Sequence, residues 1–136
     1  MRITRQVEFS ASHTCSNPAL SEEENRAVYG EEANPLGHGH NYRLEVTLEG
    51  EPDKVTGMVV DLKDVKAILQ REIVDVMDHR HLNYEVPPFN ITVPTTENVA
   101  VDIWRRLEPC FRATPARLSQ VRLYETDDLF VDYAGA

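Results

Sequence analysis

The chain has 136 residues, of which 41% are hydrophobic, and carries a formal net charge of −9 at pH 7. A chain of this length is expected to form one domain over residues 1–136, and its negative charge argues against nucleic acid or an anionic membrane as a partner, because both attract basic surfaces. The absence of a signal-like start, of an apolar run near the roughly 18 residues of a membrane span, and of a disulfide framework predicts a cytoplasmic protein.

The first third of the chain predicts two strands with a short helix between them. Residues 2–12 alternate between apolar and polar side chains, which is typical of a half-buried strand. In the polar loop that follows, Ser21 is a candidate N-cap, with Glu24 as its capping-box partner and Gly30 as the stop signal. Residues 39–50 alternate again and predict the second strand.

Two longer helices and a hairpin are predicted for the rest of the chain. Apolar residues at helical spacing indicate helices over residues 62–76 and 97–111, the second capped by Thr95 or Thr96. Two alternating segments joined by a pair of aspartates indicate a C-terminal β-hairpin. The fold class is therefore predicted to be α+β, with a four-stranded antiparallel sheet and two helices on one face.

The segment Gly-His-Gly-His-Asn-Tyr at residues 37–42 opens the second strand. His38 and His40 are two residues apart, so on a strand they point to the same face, and the flanking glycines leave space around them. Imidazole is a preferred zinc ligand, and three protein ligands leave the open position of a catalytic site. His13 is the predicted third ligand because it ends a strand that could pair beside this one. A single histidine is more often an ordinary surface residue, so this prediction depends on the pair.

Six short motifs occur in one order along the chain. They are SASH at 10–13, NPLGHGHNY at 34–42, GMVVDL at 57–62, MDHRHLN at 77–83, PTTENVA at 94–100 and LYET at 123–126. Together they resemble the 6-pyruvoyl-tetrahydropterin synthase family, which also contains 6-carboxy-tetrahydropterin synthases, and the resemblance covers nearly the whole chain. It implies the tunnel fold, in which subunits close into a β-barrel oligomer, here a homohexamer built as a dimer of trimers.

The resemblance also implies a small-molecule pterin substrate, 7,8-dihydroneopterin triphosphate, and site residues. The family binds Zn²⁺ through three histidines, which here are His13, His38 and His40. Asp78 and His79 would form a proton-relaying pair beside the reacting side chain, and the Glu125 carboxylate would accept two N–H bonds from the pterin edge. The segment that lines the pterin pocket is Thr95, Thr96 and Glu97.

One position departs from the family pattern. Pyruvoyl-type members use a cysteine as proton acceptor six residues before the first ligand of the histidine pair, and here that position is Glu32. Thiol and carboxyl groups differ by about four pKa units when unperturbed, so a carboxylate is the poorer base toward carbon. It is suited to a hydroxyl whose pKa a metal has already lowered. The hypothesis is that Glu32 initiates a retro-aldol cleavage, which yields 6-hydroxymethyl-7,8-dihydropterin for folate biosynthesis.

Several alternatives remain open at this level. Glu31, one residue away, or Cys15, two residues after His13, could be the base instead of Glu32. The protein could also make the 6-pyruvoyl or 6-carboxy product with a base other than cysteine, or it could bind zinc and a pterin with little turnover. The candidates for binding the triphosphate, none of them singled out by spacing, are Arg26, Arg43 and Arg80. His81 has no role implied by the resemblance and is interpreted as structural.

Overall fold

A single twisted sheet organises the molecule. In the computed structural model, which describes residues 1–135, the sheet has five strands in the spatial order β3-β1-β2-β4-β5. In chain order they are β1 (Arg2–His13), β2 (His38–Glu49), β3 (Arg80–His81), β4 (Arg117–Thr126) and β5 (Leu129–Tyr133). Neighbouring strands run antiparallel, except that β3 runs parallel to β1.

The predicted α+β class is confirmed, but the predicted count of four antiparallel strands is wrong by one strand. The additional strand, β3, has only two residues, which pair with Ala11 and Ser12 of β1. Two residues are too few to show an alternating pattern, so no periodicity in the sequence indicates this strand. Its effect is to hold the segment around Arg80 beside the end of β1.

The helical segments lie in the connections between the strands. They are α1 (Glu22–Tyr29), α2 (Leu62–Leu69), α3 (Asp75–Met77), α4 (Leu82–Glu85) and α5 (Thr96–Arg112). A 3₁₀ turn (Gly30–Ala33) follows α1, and a π-helical segment (Gln70–Val74) joins α2 to α3, so the predicted helix over 62–76 is one continuous helical run. Across residues 1–135, none of the helices is long and apolar enough to cross a membrane.

Side-chain caps explain where two of the helices begin. The Ser21 hydroxyl accepts a hydrogen bond from the Glu24 amide, and the Glu24 carboxylate accepts one from the Ser21 amide, each at 3.1 Å. This is the predicted capping box, which satisfies two otherwise unpaired amides. At the start of α5 the cap is Thr95, whose hydroxyl accepts from the Asn98 amide at 3.3 Å.

The hydrophobic core lies between one face of the sheet and the helices. Alternate residues of β2 (Tyr42, Leu44, Val46 and Leu48) are almost completely buried. The facing residues of α5 are also buried, and they are Val99, Ile103, Leu107 and Phe111. The opposite faces of β1 and β2 carry polar side chains, such as Thr4 and Gln6 on β1 and Glu45 and Thr47 on β2, as the alternation predicts.

Candidate metal centre and active site

Three histidine side chains meet where β1 ends and β2 begins. The strand register places His13 opposite His38 and Ala11 opposite His40, so all three imidazoles project from one face of the sheet. Nε2 of His13 lies 3.0 Å from Nε2 of His38. The ring centroid of His40 lies 5.1 Å from that of His13 and 4.8 Å from that of His38. The structure therefore brings together the three histidines that the sequence predicts as ligands.

A buried carboxylate joins the histidines. Glu125 lies near the end of β4, is 8% exposed, and continues the buried face of that strand. Its Oε1 atom lies 3.4 Å from Nε2 of His13 and 3.2 Å from Nε2 of His40. The close contact with the His13 imidazole lowers the pKa of the Glu125 carboxyl group, and the nearby His40 ring adds to this effect, whereas burial opposes it. The carboxylate is therefore held in its charged form beside the imidazoles.

The four side chains fit a tetrahedral metal ion. One ligand atom from each of them lies within 4.8 Å of all the others: His13, His38, His40 and Glu125. Bonds of about 2.0–2.2 Å at tetrahedral angles would separate neighbouring ligand atoms by roughly 3.3–3.6 Å, and three of the observed separations are 3.0, 3.2 and 3.4 Å. Nitrogen and carboxylate donors at this spacing suit a divalent transition metal.

Hydrogen bonding and burial favour the neutral imidazole forms that can bind a metal. Nδ1 of His13 lies 2.7 Å from the backbone carbonyl oxygen of Pro94. A carbonyl can only accept, so Nδ1 donates and the lone pair of Nε2 faces the cluster. Nε2 of His40 is buried and has no hydrogen-bond partner among the described residues. Burial lowers the pKa of His40, which favours the neutral, metal-binding form.

The turn before β2 requires a glycine. Gly37 has a φ of 76°, and a Cβ atom there would lie 2.9 Å from Nε2 of His81 and 3.1 Å from the carbonyl oxygen of His13. Both the backbone conformation and the close approach exclude a side chain. The first glycine of the Gly-His-Gly-His motif thus allows β2 to begin directly against the end of β1, which places His38 in the cluster.

A pocket of about 690 Å³ opens beside two of the histidines. Its lining residues are Arg26, Glu31, Glu32, Asn34, His38 and His40. The two glutamates belong to the 3₁₀ turn after α1, and the carbonyl oxygen of Glu32 accepts a 2.9 Å hydrogen bond from the Cys15 amide. Both carboxylates predicted as candidate bases therefore line the pocket that contains His38 and His40.

Cys15, the third candidate base, is placed differently. Its side chain is 1% exposed and is not among the residues that line the pocket. Burial, together with the nearby charge of Glu32, raises the pKa of the Cys15 thiol to about 12. A thiol that stays protonated near neutral pH and lies away from solvent is a poor proton acceptor.

The predicted Asp-His pair forms at the end of α3. Nδ1 of His79 donates to the Asp78 carboxylate at 2.8 Å, and the Ser10 amide donates to the same carboxylate at 2.8 Å. The hydrogen bond from Ser10 lowers the pKa of Asp78, and His79 lowers it further. The His79 ring is 84% exposed and lines a second pocket, of about 470 Å³, which shares only His40 with the pocket of Glu32.

The predicted pterin-binding segment lies at the start of α5. The Thr95 hydroxyl caps that helix, and the Thr96 side chain is buried. Glu97 is exposed. Thr96 lies close enough to Glu125 to lower the pKa of its carboxyl group, while contact of these residues with a pterin stays a prediction.

His81 lies closer to the site than its interpretation as a structural residue suggests. It lines the same pocket as His79, and both of its ring nitrogens are buried without a hydrogen-bond partner among the described residues. Burial lowers the pKa of His81. In the sequence, His81 lies two residues after His79, which is the same spacing as His38 and His40. Its position beside Gly37 depends on the tertiary structure.

The fold and the site together define an α+β protein with a buried centre of three histidines and one carboxylate. A family model described as 6-pyruvoyl tetrahydropterin synthase matches residues 2–136. Human 6-pyruvoyl tetrahydrobiopterin synthase is 44% identical to this chain over 135 residues, 98% of this chain and 91% of the human protein. A dihydroneopterin monophosphate aldolase of Pyrococcus furiosus is 32% identical over 131 residues, 96% of this chain and 95% of that protein.

A solved structure agrees with these similarities. The 6-pyruvoyl tetrahydropterin synthase of Caenorhabditis elegans has a TM-score of 0.95 to this chain at 37% identity, and the match covers 100% of this chain and 96% of that one. The chain belongs to the 6-pyruvoyl tetrahydropterin synthase family, an enzyme family of pterin biosynthesis. The predicted tunnel fold is thereby confirmed. The replacement of the family cysteine by Glu32 stays a prediction.

Proposed function

We propose that this protein is a zinc-dependent lyase that cleaves the C1′–C2′ bond of 7,8-dihydroneopterin triphosphate and releases 6-hydroxymethyl-7,8-dihydropterin. The observation that supports this reaction best is the position of Glu32, which lines the same pocket as the ligand candidates His38 and His40. The relative from Pyrococcus furiosus is named as an aldolase of a dihydroneopterin phosphate, which agrees with cleavage of this bond.

The proposed reaction has two proton transfers, one to Glu32 and one from His79, which line two pockets that share His40. When bound by the three histidines, zinc would act as a Lewis acid that lowers the pKa of the substrate's side-chain hydroxyls. Glu32 accepts the proton of the C2′ hydroxyl, the C1′–C2′ bond breaks, and C2′ becomes an aldehyde that keeps the phosphorylated carbon. The electron pair passes to C1′ and is delocalised into the pterin ring. His79, oriented by Asp78, donates a proton to C1′.

Glu125 has two conceivable roles, and we assign it to the pterin. A catalytic zinc site keeps one position open, whereas three histidines and Glu125 together would close a tetrahedral site. In the proposed complex the carboxylate turns from the histidines and accepts two parallel N–H bonds from the ring edge. Thr95, Thr96 and Glu97 would line the part of the site that holds the ring, and Thr96 lowers the pKa of the Glu125 carboxyl group.

The second candidate function is formation of the 6-pyruvoyl product. It is favoured by the higher identity to 6-pyruvoyl tetrahydrobiopterin synthases, 44% for the human protein, than to the aldolase, at 32%. In either case the active unit would be the homohexamer, a dimer of trimers, in the cytoplasm. The 6-carboxy product and a pterin-binding protein with little turnover are the remaining alternatives.

Product identification tests the proposal directly. The zinc-loaded protein is incubated with 7,8-dihydroneopterin triphosphate, and the pterin is identified by mass spectrometry. We expect 6-hydroxymethyl-7,8-dihydropterin, and exclusive formation of 6-pyruvoyl-tetrahydropterin would overturn the retro-aldol reaction. Tight binding of the substrate with no product over hours would favour the binding protein.

Three single variants identify the base. Glu32→Gln keeps the shape of the side chain but removes its basicity, and we expect it to lose at least about a hundredfold in kcat, the lower end of the effect of general-base catalysis. Glu31→Gln and Cys15→Ala are the matched controls and should retain most of the activity. Loss of turnover in either control, with Glu32→Gln unaffected, would reassign the base.

A further inference from the structure

We propose that the Arg26 guanidinium binds the phosphate end of the substrate side chain and makes the pocket selective for a phosphorylated pterin. The inference rests on the proposed function, because it concerns the pocket that contains Glu32. Three arginines are candidates from the sequence for this contact, and the structure distinguishes among them.

The three candidate arginines differ in whether the guanidinium group already has a partner. Arg80 forms an ion pair with Glu85 at 3.5 Å. Arg43 lies 3.8 Å from the carboxylate of Asp127, and its guanidinium stacks over the Tyr124 ring at 4.0 Å. Within residues 1–135, the Arg26 side chain makes no ion pair or side-chain hydrogen bond, although it lines the pocket of Glu32 and His38. Arg26 is therefore the candidate whose charge is available to a ligand.

The helix that carries Arg26 is held in place by its neighbours. The preceding residue, Asn25, is buried, and its side-chain oxygen accepts from the Asn17 amide at 2.8 Å. Its amide group donates to the Asn17 carbonyl at 3.0 Å. With the capping box at Ser21, these bonds fix α1 against the loop that contains Asn17. The base of the Arg26 side chain thus has a fixed position at the wall of the pocket.

The charges of the pocket require a cation for a phosphorylated ligand. Glu31 and Glu32 both line it, and both would repel a phosphate, while Arg26 is the one arginine or lysine among its lining residues. A guanidinium forms two parallel hydrogen bonds with phosphate oxygens and stays charged at all relevant pH values. Arg26 therefore offsets the repulsion and supplies the recognition.

The chemistry of the substrate places its phosphate near this residue. The phosphate is esterified to C3′, the carbon next to C2′, and the C2′ hydroxyl is the group that Glu32 deprotonates. A side chain that presents C2′ to Glu32 must therefore leave the phosphate in the same pocket or at its mouth. A single arginine suffices for the phosphate nearest the carbon chain, so both a monophosphate and a triphosphate satisfy the contact.

The test compares two ligands that differ only in phosphate, 7,8-dihydroneopterin triphosphate and 7,8-dihydroneopterin. For the zinc-loaded protein, kcat/KM is measured for each from consumption of the pterin, whichever product forms, and Kd is measured by calorimetry where no pterin is consumed. Arg26→Ala should lower kcat/KM, or raise Kd, roughly ten- to hundredfold for the triphosphate. The value for dihydroneopterin should change by less than about twofold, since it lacks the contact.

Two further variants complete the test. Arg26→Lys keeps the charge but loses the paired hydrogen bonds, so its preference for the triphosphate should fall between the wild type and Arg26→Ala. Arg105→Ala removes an exposed arginine of α5 that forms no ion pair within residues 1–135, and it should leave the preference unchanged. If Arg26→Ala fails to fold, the same comparison rests on Arg26→Lys.

The outcomes separate this inference from the proposed function. An unchanged preference for the triphosphate in the folded Arg26 variants, or an equal loss for both ligands, would overturn the role of Arg26. A different pterin product, together with a preference that depends on Arg26, would overturn the retro-aldol reaction alone and support the phosphate contact.

Discussion

The buried face of strands β1, β2 and β4 is apolar at one end of the sheet and polar at the other. At one end, alternate residues of β2 such as Leu44 and Val46 belong to the hydrophobic core beneath the helices. At the other end, the same alternation continues into polar residues, with His13 on β1, His40 on β2 and Glu125 on β4. Polar groups on a buried face cost free energy unless they have partners. A buried face that turns polar at one end of a sheet therefore indicates a site rather than a core.

The largest expected effect concerns the polar end. His40→Ala removes a ligand of the proposed metal centre, and we expect a loss of more than about a thousandfold in kcat/KM, since loss of an outer partner alone costs 10–100-fold. The unfolding free energy of the metal-free protein should change by less than about 1 kcal/mol. Steady-state kinetics measures kcat/KM, mass spectrometry measures the metal content, and urea denaturation measures the unfolding free energy. Gln6→Ala, on the exposed face of β1, is the control. A His40→Ala protein that keeps full metal content and activity would contradict the ligand assignment.

The converse change tests the apolar end. Leu44→Ala leaves a cavity in the hydrophobic core and should lower the unfolding free energy by about 2–5 kcal/mol. Metal stoichiometry in the folded fraction should stay unchanged, because the strand register pairs Leu44 with Val7 and Leu123 and not with a member of the metal centre. Leu129→Ala, on the half-exposed edge strand β5, is the matched control and should cost less than about 1 kcal/mol. A selective loss of metal in Leu44→Ala would show that the two ends are not independent.

A smaller effect distinguishes the two roles of the buried carboxylate. Glu125→Gln keeps its size but removes the charge, and we expect about 10–100-fold weaker pterin binding, since hydrogen bonds to a charged group contribute about 1.5–3 kcal/mol. Zinc affinity should change less than about tenfold. Calorimetry with zinc and with the pterin measures both, and a larger loss of zinc affinity than of pterin affinity would make Glu125 a metal ligand instead.

The smallest effect concerns an ion pair on the half-exposed face of the β4-β5 hairpin, between Arg122 and Asp132. Nε and Nη2 of Arg122 donate to the Asp132 carboxylate at 2.6 and 2.8 Å, and these bonds lower the pKa of Asp132 below its usual 3.8. Because the pKa is lowered in the folded state, the stabilisation is present above about pH 4 and is lost as the pH falls through the folded-state value.

Asp132→Asn should therefore reduce the unfolding free energy by only about 0.5 kcal/mol at pH 7, since water screens this half-exposed pair. The difference from the wild type should shrink as the pH falls below about 4 and disappear below the folded-state pKa of Asp132. Urea denaturation at several pH values measures it, with Asp128→Asn in the same hairpin as a control of equal charge change. A difference that grows as the pH falls would contradict the assignment.

Much of the local structure follows from short-range patterns in the sequence. The capping box at Ser21 and Glu24, the helical run from residue 62 and the C-terminal hairpin all form as predicted. Each depends on residues that are close together in the chain, so propensity and periodicity suffice to predict it. The strand β3 forms instead because a two-residue segment meets the edge of β1, and the segment itself carries no pattern that favours a strand.

The site divides along the same line. The strand spacing of His38 and His40, with the motifs that resemble one family, determined the ligand candidates and the enzyme family from sequence alone. Only the tertiary structure placed the Glu125 carboxylate against the histidines, buried the Cys15 thiol, and left Arg26 as the free cation beside Glu32 among the described residues. The physical reason is that these distances, burials and ion pairs depend on how remote segments pack, which spacing along one segment does not specify.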